Sequence, residues 1–490
     1  MSLVLYNTLS RRKEPFEPIE AGKIKMYCCG VTVYDYCHLG HARSYIVWDV
    51  IRRYLQWRGY SVRYVQNFTD IDDKILNRAR QEGSSMEAVA KQYTQAYFED
   101  MAQLNVLEAD SYTYATHTID GIQRLIHELE QKGYAYAAEG DVYYKVRQFE
   151  GYGKLSGRKL DDMQAGASGR VAASEVKKQD PFDFALWKGA KPDEPAWESP
   201  WGPGRPGWHI ECSAMIREGL GETIDIHMGG ADLQFPHHEN EIAQSEAATG
   251  HPLSRYWMHN GMVNVEGEKM SKSLGNFTTI RQLLEAPEAP PPEALRLFVL
   301  QAQYRKPIDF TADAIASAVS SWQTLKEGLL FGYDYGHQLG WPDAADEAFG
   351  DPAAMRIDAE SLSVQQFQVA MDDDFNTPGA VAVLFDLAKE LRRQGNLMVH
   401  QGQADADAEA LRQQWQTLVC LAQVLGLEAA PDPAEAETTL SDAEIEAKVA
   451  QRRVAKTAKD FATADRIRDE LSGLGITLID KPGGVTQWHR

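Results

Sequence analysis

Apolar positions along the first part of the chain switch repeatedly between two periods. Residues 25–34 alternate and are rich in β-branched and aromatic side chains, which predicts a strand. Residues 45–57 carry apolar side chains at three- and four-residue spacing, which predicts a helix, and 62–67 read as the next strand. Strand, helix, strand in so short a span predicts an α/β domain with a parallel, doubly wound sheet. A further helix is expected over 87–104, and 114–133 begins with a helical pattern before 134–146 alternates like strands. The stretch 151–201 is rich in Gly, Pro and charge and interrupts this pattern, which resumes near Gly207. Residues 224–230 then read as a strand that ends in a flexible glycine turn.

The later pattern is helical. Prolines crowd 287–292, so that stretch is a loop or small linker rather than helix interior. Helices are expected over 311–330, 361–370, 377–393 and 406–425. Asn376-Thr377-Pro378 is a helix-start signal, cap residues followed by proline in the first turn. The preceding Asp372-Asp373-Asp374 lacks the glycine and terminal glutamate of a calcium loop, so the cap reading is preferred. A last module over 442–490 places Lys448, Arg452, Lys456 and Lys459 at successive helical spacings, with Arg466 and Arg468 on the next helix and a short strand over 475–480.

Composition changes the picture in two places. Five scattered cysteines argue against a disulfide framework and, with no secretory leader or long apolar run, for a cytoplasmic protein with no membrane span. The net charge of -21 disfavours non-specific binding to nucleic acid, so any such contact must use limited basic surfaces. The acidic stretches at 343–351, 405–409 and 432–446 read as solvated loops and linkers. The basic helical face at Lys448, Arg452, Lys456 and Lys459 stands out against that background as the candidate RNA contact.

Candidate chemistry sits in three places. His38-Leu39-Gly40-His41 precedes the first expected helix, and Lys269-Met270-Ser271-Lys272-Ser273 follows the last expected strand of the sheet. A lone pair of histidines could be no more than a helix start, but the second motif is rare and the order is informative. Imidazoles and mobile lysines suit a phosphate that gains charge during reaction, and Gly40 lets a helix N-terminus approach it. Together the two motifs resemble the ATP-binding signature of class I aminoacyl-tRNA synthetases and related nucleotidyltransferases. The third place is a scattered set of thiols, imidazoles and carboxylates at Cys28-Cys29, Trp208 to Cys212 and His237 to Glu241, the donor types zinc takes. Singly, each cysteine is more ordinarily a buried small hydrophobe. His237 or His238 with Glu241 is compatible with one helix face, and spacing alone does not choose between them.

Tyr27 to Asp35, Asn67 to Lys74 and Gly204 to Ser213 are long, specific strings, and over nearly its whole length the chain resembles the cysteinyl-tRNA synthetase family. That resemblance implies a Rossmann-like class I catalytic domain at 1–120 and 205–255 with a connective insertion at 121–204. It implies a stem-contact region carrying the lysine motif at 256–310 and a helical anticodon-binding bundle at 311–428. An acidic linker at 429–441 and a small α/β, tRNA-contacting module at 442–490 follow. It implies ATP-dependent activation of L-cysteine and transfer to tRNA(Cys) by a protein expected to be monomeric, with Mg2+ accompanying ATP. His38, Gly40, His41, Lys269 and Lys272 then serve ATP, and His38, His41, Lys269 and Lys272 the chemistry. One zinc is implied on Cys29, Cys212, His237 and Glu241, and Thr69, Trp208 and His227 line the cysteine pocket. The family's ligand directly precedes the glycine, hence Cys29 rather than Cys28, whose side chain should point to the other face of the strand. Zinc selection of the thiol would make a separate editing site unnecessary. A ligase joining cysteine to an amino sugar would keep the motifs and the zinc set but not need the helical bundle and basic module, and a non-catalytic tRNA-binding paralogue would not need the intact His and Lys motifs.

Overall fold

The structure is a computed structural model that describes residues 2–160, 177–192, 194–270, 276–342, 349–353, 355–431, 442–458, 460–473, 476–481 and 485–489. Two compact units divide the chain. One holds Met1–Gln323, Asp358–Phe385 and Cys420–Leu427, and the other Thr324–Ile357, Asp386–Val419 and Glu428–Arg490.

The first unit opens with a hairpin of β1 (Val4–Asn7) and β2 (Arg12–Pro15), followed by β3 (Lys23–Cys28), α1 (Leu39–Trp57), β4 (Ser61–Phe68), α2 (Asp73–Glu82), α3 (Met86–Gln103) and β5 (Ser111–Tyr114). After α4 (Ile119–Gln131) come β6 (Ala135–Ala138), β7 (Asp141–Tyr144), β8 (Phe184–Gly189) and β9 (Gly204–Pro206), which pair antiparallel in their own small sheet. The chain then returns through α5 (Trp208–Gly219), β10 (Ile224–Gly230), α6 (Glu239–Thr249) and β11 (Ser254–Asn260). The main sheet has the order β11-β10-β3-β4-β5 and every neighbour is parallel. The chain leaves β3 in one direction and comes back to its other side at β10, so the strand order reverses between them. Ligands of such sheets bind in the crevice beyond the strand ends at this reversal.

The elements form where the pattern predicts them, with two shifts that matter. Helix α1 begins at Leu39 rather than 45, because His38 caps it; Leu39 and Ala42 are buried there, but Gly40, His41, Arg43 and Ser44 break up the apolar pattern. Its buried face includes Ile46, Val50, Ile51 and Leu55, each contributing about 1.5–3 kcal/mol on leaving water. Strand β3 stops at Cys28, short of the expected 34. At Gly30 a Cβ would lie 1.5 Å from the Asn67 carbonyl oxygen, so the backbone there presses against β4 and leaves the ladder. Only the bridge Thr32–Thr69 restores contact further on.

Beyond β11 the unit continues with β12 (Val263–Val265), β13 (Glu268–Lys269), α7 (Ile280–Leu284), α8 (Pro292–Leu300) and β14 (Ile308–Phe310). The prolines resolve as a turn followed by Pro292 in the first turn of α8, where its missing N–H costs nothing. Then come α9 (Ala312–Tyr335), α10 (Leu362–Asp372), α11 (Thr377–Gln401) and α12 (Ala408–Val424). The acidic run before α11 is structural: the Asp374 carboxylate accepts from Tyr6 N–H, Tyr304 O–H and Arg305 Nε at 2.8–2.9 Å. Asn376 Oδ1 accepts the Gly379 N–H, the cap the sequence signalled.

In the second unit Trp415 is fully buried, donates its indole N–H to the Leu329 carbonyl at 2.7 Å and stacks on Phe349. The chain ends in α13 (Asp442–Thr457), α14 (Phe461–Gly473), β15 (Thr477–Lys481) and β16 (Val485–His489). Ile445, Val449, Ile467, Leu471 and Ile476 give this module its own small core. That core corrects the expected basic face. Arg452 is 3% exposed and Lys448 pairs with Glu470 at 2.7 Å, because the spacing that aligns them with Lys456 also aligns them with Ile445 and Val449. Lys456 is exposed, and Lys459 lies outside the described residues. No helix among the described residues is long and apolar enough to cross a membrane.

Candidate active site and metal centre

Helix α1 starts at the first motif. The His38 Nδ1 accepts the Gly40 N–H at 3.0 Å, the His38 N–H reaches His41 Nδ1 at 3.3 Å, and the two rings stack 3.7 Å apart. The capping box is thus built from the motif's own histidines, which leaves both half-buried at a helix N-terminus. A Cβ on Gly40 would fall 2.8 Å from the His38 ring, so glycine is required there.

The second motif comes to the same place. Met270 Cε lies 3.6 Å from the position of that missing Gly40 Cβ. On the far side of the loop, the Leu39 N–H donates to the Thr278 carbonyl and the Ile280 N–H to the Cys37 carbonyl. Asn276 closes the loop base by donating to the Lys269 carbonyl at 3.2 Å. Lys269 is exposed on β13, and Lys272 lies outside the described residues. The segments flanking the two motifs, far apart in sequence, therefore meet at the start of α1.

At the reversal between β3 and β10 lies the donor set. Cys29 follows β3, Cys212 is on α5, His237 is in the short helical turn just before α6, and Glu241 is in the first turn of α6. One ligand atom from each lies within 4.8 Å of the others, and all four residues are buried. Cys29 Sγ is 3.9 Å from Cys212 Sγ and 3.3 Å from Glu241 Oε1, and His237 Nε2 is 2.8 Å from the same oxygen. Two thiolates bound at about 2.3 Å in a tetrahedron would be about 3.8 Å apart, so this pair is already at the zinc spacing. Cys28 is buried on the other side of the strand, where burial pushes its thiol up to about 12.

The charges in this set are shared. Burial pushes the Cys29 thiol well above its usual value. The hydrogen bond from Cys29, aided by His237, overcomes burial and holds Cys212 down to about 6, so the two sulfurs keep one proton between them. Burial opposes ionisation of Glu241, but His227 and His237 outweigh it and hold its carboxyl well below the usual range. Burial works against a charge on His237, but Glu241 and Cys212 outweigh it and raise its pKa to about 9. Cys212 and Glu241 thus hold the deprotonated form a metal needs, while Cys29 and His237 would release a proton on binding one.

The three expected pocket residues surround this set. His227 Nε2 is 2.7 Å from Glu241 Oε2, and its ring stacks on Trp257. Trp208 stacks on His237 at 4.1 Å, and Thr69 donates to Glu211 at 3.3 Å. Other groups take roles that the sequence did not assign them. His209 Nδ1 lies 2.9 Å from His237 Nδ1 and so orients that ring, the kind of partner metal-bound histidines need. Its signal was its position one turn before Cys212 on α5. Glu211 is buried, and burial pushes its carboxyl well above the usual range. His238, His259 and Thr8 form a further chain at 2.8 and 2.9 Å. Cys29, His227, His238 and Glu241 make a second set of donor atoms within 4.8 Å. That set, however, holds only one sulfur.

Known proteins resemble this chain throughout. The family model described as the tRNA synthetases class I (C) catalytic domain matches residues 15–320, and a DALR domain model matches 366–430. The cysteine–tRNA ligase of Synechococcus elongatus is 67% identical over 491 residues, with all of both chains covered. Those of Gloeothece citriformis and Synechocystis are 65% and 62% identical, again over the full length of both. Among solved structures, the Mycobacterium tuberculosis methionyl-tRNA synthetase shares the fold at 16% identity, with a TM-score of 0.56 over 83% of this chain and 90% of that one. Thermus thermophilus arginyl-tRNA synthetase does so at 15% identity, with a TM-score of 0.50 over 86% of this chain and 84% of that one. With its two motifs brought together at the start of α1 and relatives of this identity along its entire length, the chain belongs to the cysteine–tRNA ligase family of class I aminoacyl-tRNA synthetases.

Proposed function

We propose that this protein activates L-cysteine with ATP to the cysteinyl-adenylate and transfers it to the terminal ribose of tRNA(Cys). The observation that carries the reading is the buried Cys29, Cys212, His237 and Glu241 set at the strand-order reversal of the sheet. A zinc ion held there would prefer a thiolate to a hydroxyl, which would separate cysteine from serine.

The chain's own residues do the rest. Cys29 and Cys212 supply the soft donors, and His209 fixes the His237 ring so that Nε2 faces the site. Glu241 stays ionised, steadied by His227 on its second oxygen. Trp208, stacked on His237, and Thr69 wall the cysteine pocket and exclude water from it. His38 and His41, with the α1 N-terminus behind them, meet the α-phosphate of ATP where negative charge grows as the cysteine carboxylate attacks. Gly40 keeps that approach open. Lys269 and Lys272 neutralise the leaving pyrophosphate, which Mg2+ accompanies. No covalent intermediate with the protein is needed, since positioning and electrostatics can carry both steps.

Cysteine-dependent ATP–pyrophosphate exchange, measured beside zinc content, tests the reading. Wild type should hold one zinc and exchange with cysteine but not with serine. Cys29→Ser should lose zinc and exchange together, and Cys28→Ser should keep both. An active protein without zinc, or equal zinc loss in the two variants, defeats the assignment.

A further inference from the structure

The β1–β2 hairpin and the loop after β7 line an open cavity of about 770 Å³ that the adenylation chemistry does not use. Its lining includes Arg11, Arg147, Lys154, Arg158 and Lys159, with Glu150 as the one carboxylate among the lining residues. Arg147 and Lys154 are committed to Asp180 and Glu246. Among the described residues no carboxylate pairs with Arg11, Arg158 or Lys159. Three such cations around one cavity are unusual in a chain of net charge -21.

The cavity is built rather than incidental. Arg11 is held at a φ of 60°, a left-handed conformation that costs a non-glycine residue energy. Its guanidinium lies over Gly157, where any Cβ would meet it at 1.8 Å. The loop behind is clamped from below. The fully buried Glu239 carboxylate accepts the backbone N–H groups of Gly153 at 3.0 Å and Ser156 at 2.8 Å, with Leu155 at 3.4 Å. Glu239 stands between the ligands His237 and Glu241, so the cavity wall is fastened to the helix that carries the metal set. Phe149 and Tyr152, both half-buried, line the cavity among the cations. Cations with interleaved aromatic rings suit single-stranded nucleic acid, whose phosphates meet the charges while its bases stack.

We propose that this cavity is a phosphodiester-binding subsite for the single-stranded 3′ end of tRNA, with Arg11, Arg158 and Lys159 as its phosphate contacts. It rests on the tRNA-charging reading. The same phosphate chemistry could instead come from ATP or pyrophosphate, and the test separates the two sources. Binding of intact tRNA, and of the same tRNA trimmed of its unpaired 3′ nucleotides, is measured for wild type, Arg158→Gln/Lys159→Gln, Arg11→Asn and Glu150→Gln. Asparagine tolerates the left-handed turn at 11.

Arg158→Gln/Lys159→Gln should weaken intact tRNA about tenfold and lower the slope of log affinity against log salt by about 0.7 per cation removed. Arg11→Asn should show the same loss in smaller measure. The trimmed tRNA should bind these variants and wild type alike. Glu150→Gln should tighten intact tRNA, a change of sign that misfolding cannot imitate. Pyrophosphate exchange without tRNA should hold in all of them. Unchanged tRNA affinity in the double variant overturns the proposal. An equal loss for intact and trimmed tRNA overturns the assignment to the 3′ end. A raised KM for ATP or pyrophosphate with tRNA affinity intact gives the cavity to the nucleotide and overturns it as well. A protein that binds tRNA through these cations but charges none would refute the ligase reading and still support the subsite.

Discussion

Single imidazoles decide how this site responds to acid. His259 is 7% exposed, with Nε2 2.8 Å from His238 Nδ1 and Nδ1 2.9 Å from Thr8 Oγ1. Burial first, and then the neighbouring His227, lower its pKa from 6.5 to about 3, with Glu241 opposing. The folded protein therefore keeps His259 neutral where the unfolded chain would protonate it. The sign follows. Stability from this group is complete above about pH 6.5 and is lost as pH falls toward about 3, because only the unfolded state takes up the proton. Burial moves His238 in the same direction. Replacing His259 by Asn should flatten the acid limb. Between about pH 7 and pH 4.5, wild type should lose on the order of 2 kcal/mol more than His259→Asn, read from urea midpoints at both values. Parallel losses in the two proteins would mean that acid acts through other groups. The adjacent thiols make the same point about neighbours. Cys28 and Cys29 are one residue apart, yet one fills the core behind the strand and the other faces Cys212. Alternation along an extended chain separates them, as it separates any such pair.

At the scale of elements, the second motif is tied to the first by a short helix cap. Thr279 forms a capping box with Gln282 at the start of α7, and its backbone bridges to His38. Arg281, one turn on, is held by Glu99 and by Asp100 of α3. The loop bearing the lysines thus has one end fixed by β13 and the other by this cap. Thr279→Ala should cost about 1 kcal/mol locally. Its expected signature is a higher KM for ATP in pyrophosphate exchange, with zinc content and cysteine binding unchanged. If zinc falls too, the cap supports the whole crevice and not the loop alone. The same elements show what a sequence can carry. The regular strands and helices were legible because burial imposes a period on them, as in β4, α3 and β10. The first six residues of α1 were not, since Gly40, the capping His41 and a buried Arg43 interrupt the apolar pattern there, although Leu39 and Ala42 are buried. Likewise the end of β3 depends on Gly30 meeting Asn67, a contact between segments that no local pattern records. Of the site, the motif residues and the four donors could be named by family resemblance. His209, Glu211 and Glu239 could not, because each acts on a neighbour through a contact set by the tertiary fold.

At the scale of the whole molecule the question is how so acidic a chain holds an RNA. A net charge of -21 repels phosphates at long range, so binding must be confined to places where cations are concentrated. The terminal module is one candidate, but in a narrower form than its helical spacing suggests. Its core of Ile445, Val449, Ile467, Leu471 and Ile476 takes Arg452 inward, and Lys448 is spent on Glu470. The exposed basic residues of α13 are Arg453 and Lys456. All four metal donors and both motifs lie upstream, so a chain ending at Pro431 should still form cysteinyl-adenylate at near the full rate. Its tRNA charging should fall through KM rather than kcat, because phosphate contacts set affinity and not the chemistry. Glutamate at both 453 and 456 in the full-length protein should reproduce that loss if charge is the cause, and the loss should shrink as salt rises. Pyrophosphate exchange and tRNA charging run side by side on the three proteins give the answer. Charging unchanged in the shortened chain removes the module from tRNA binding. Failure of both reactions there, with the double glutamate variant fully active, makes it a support of the fold instead.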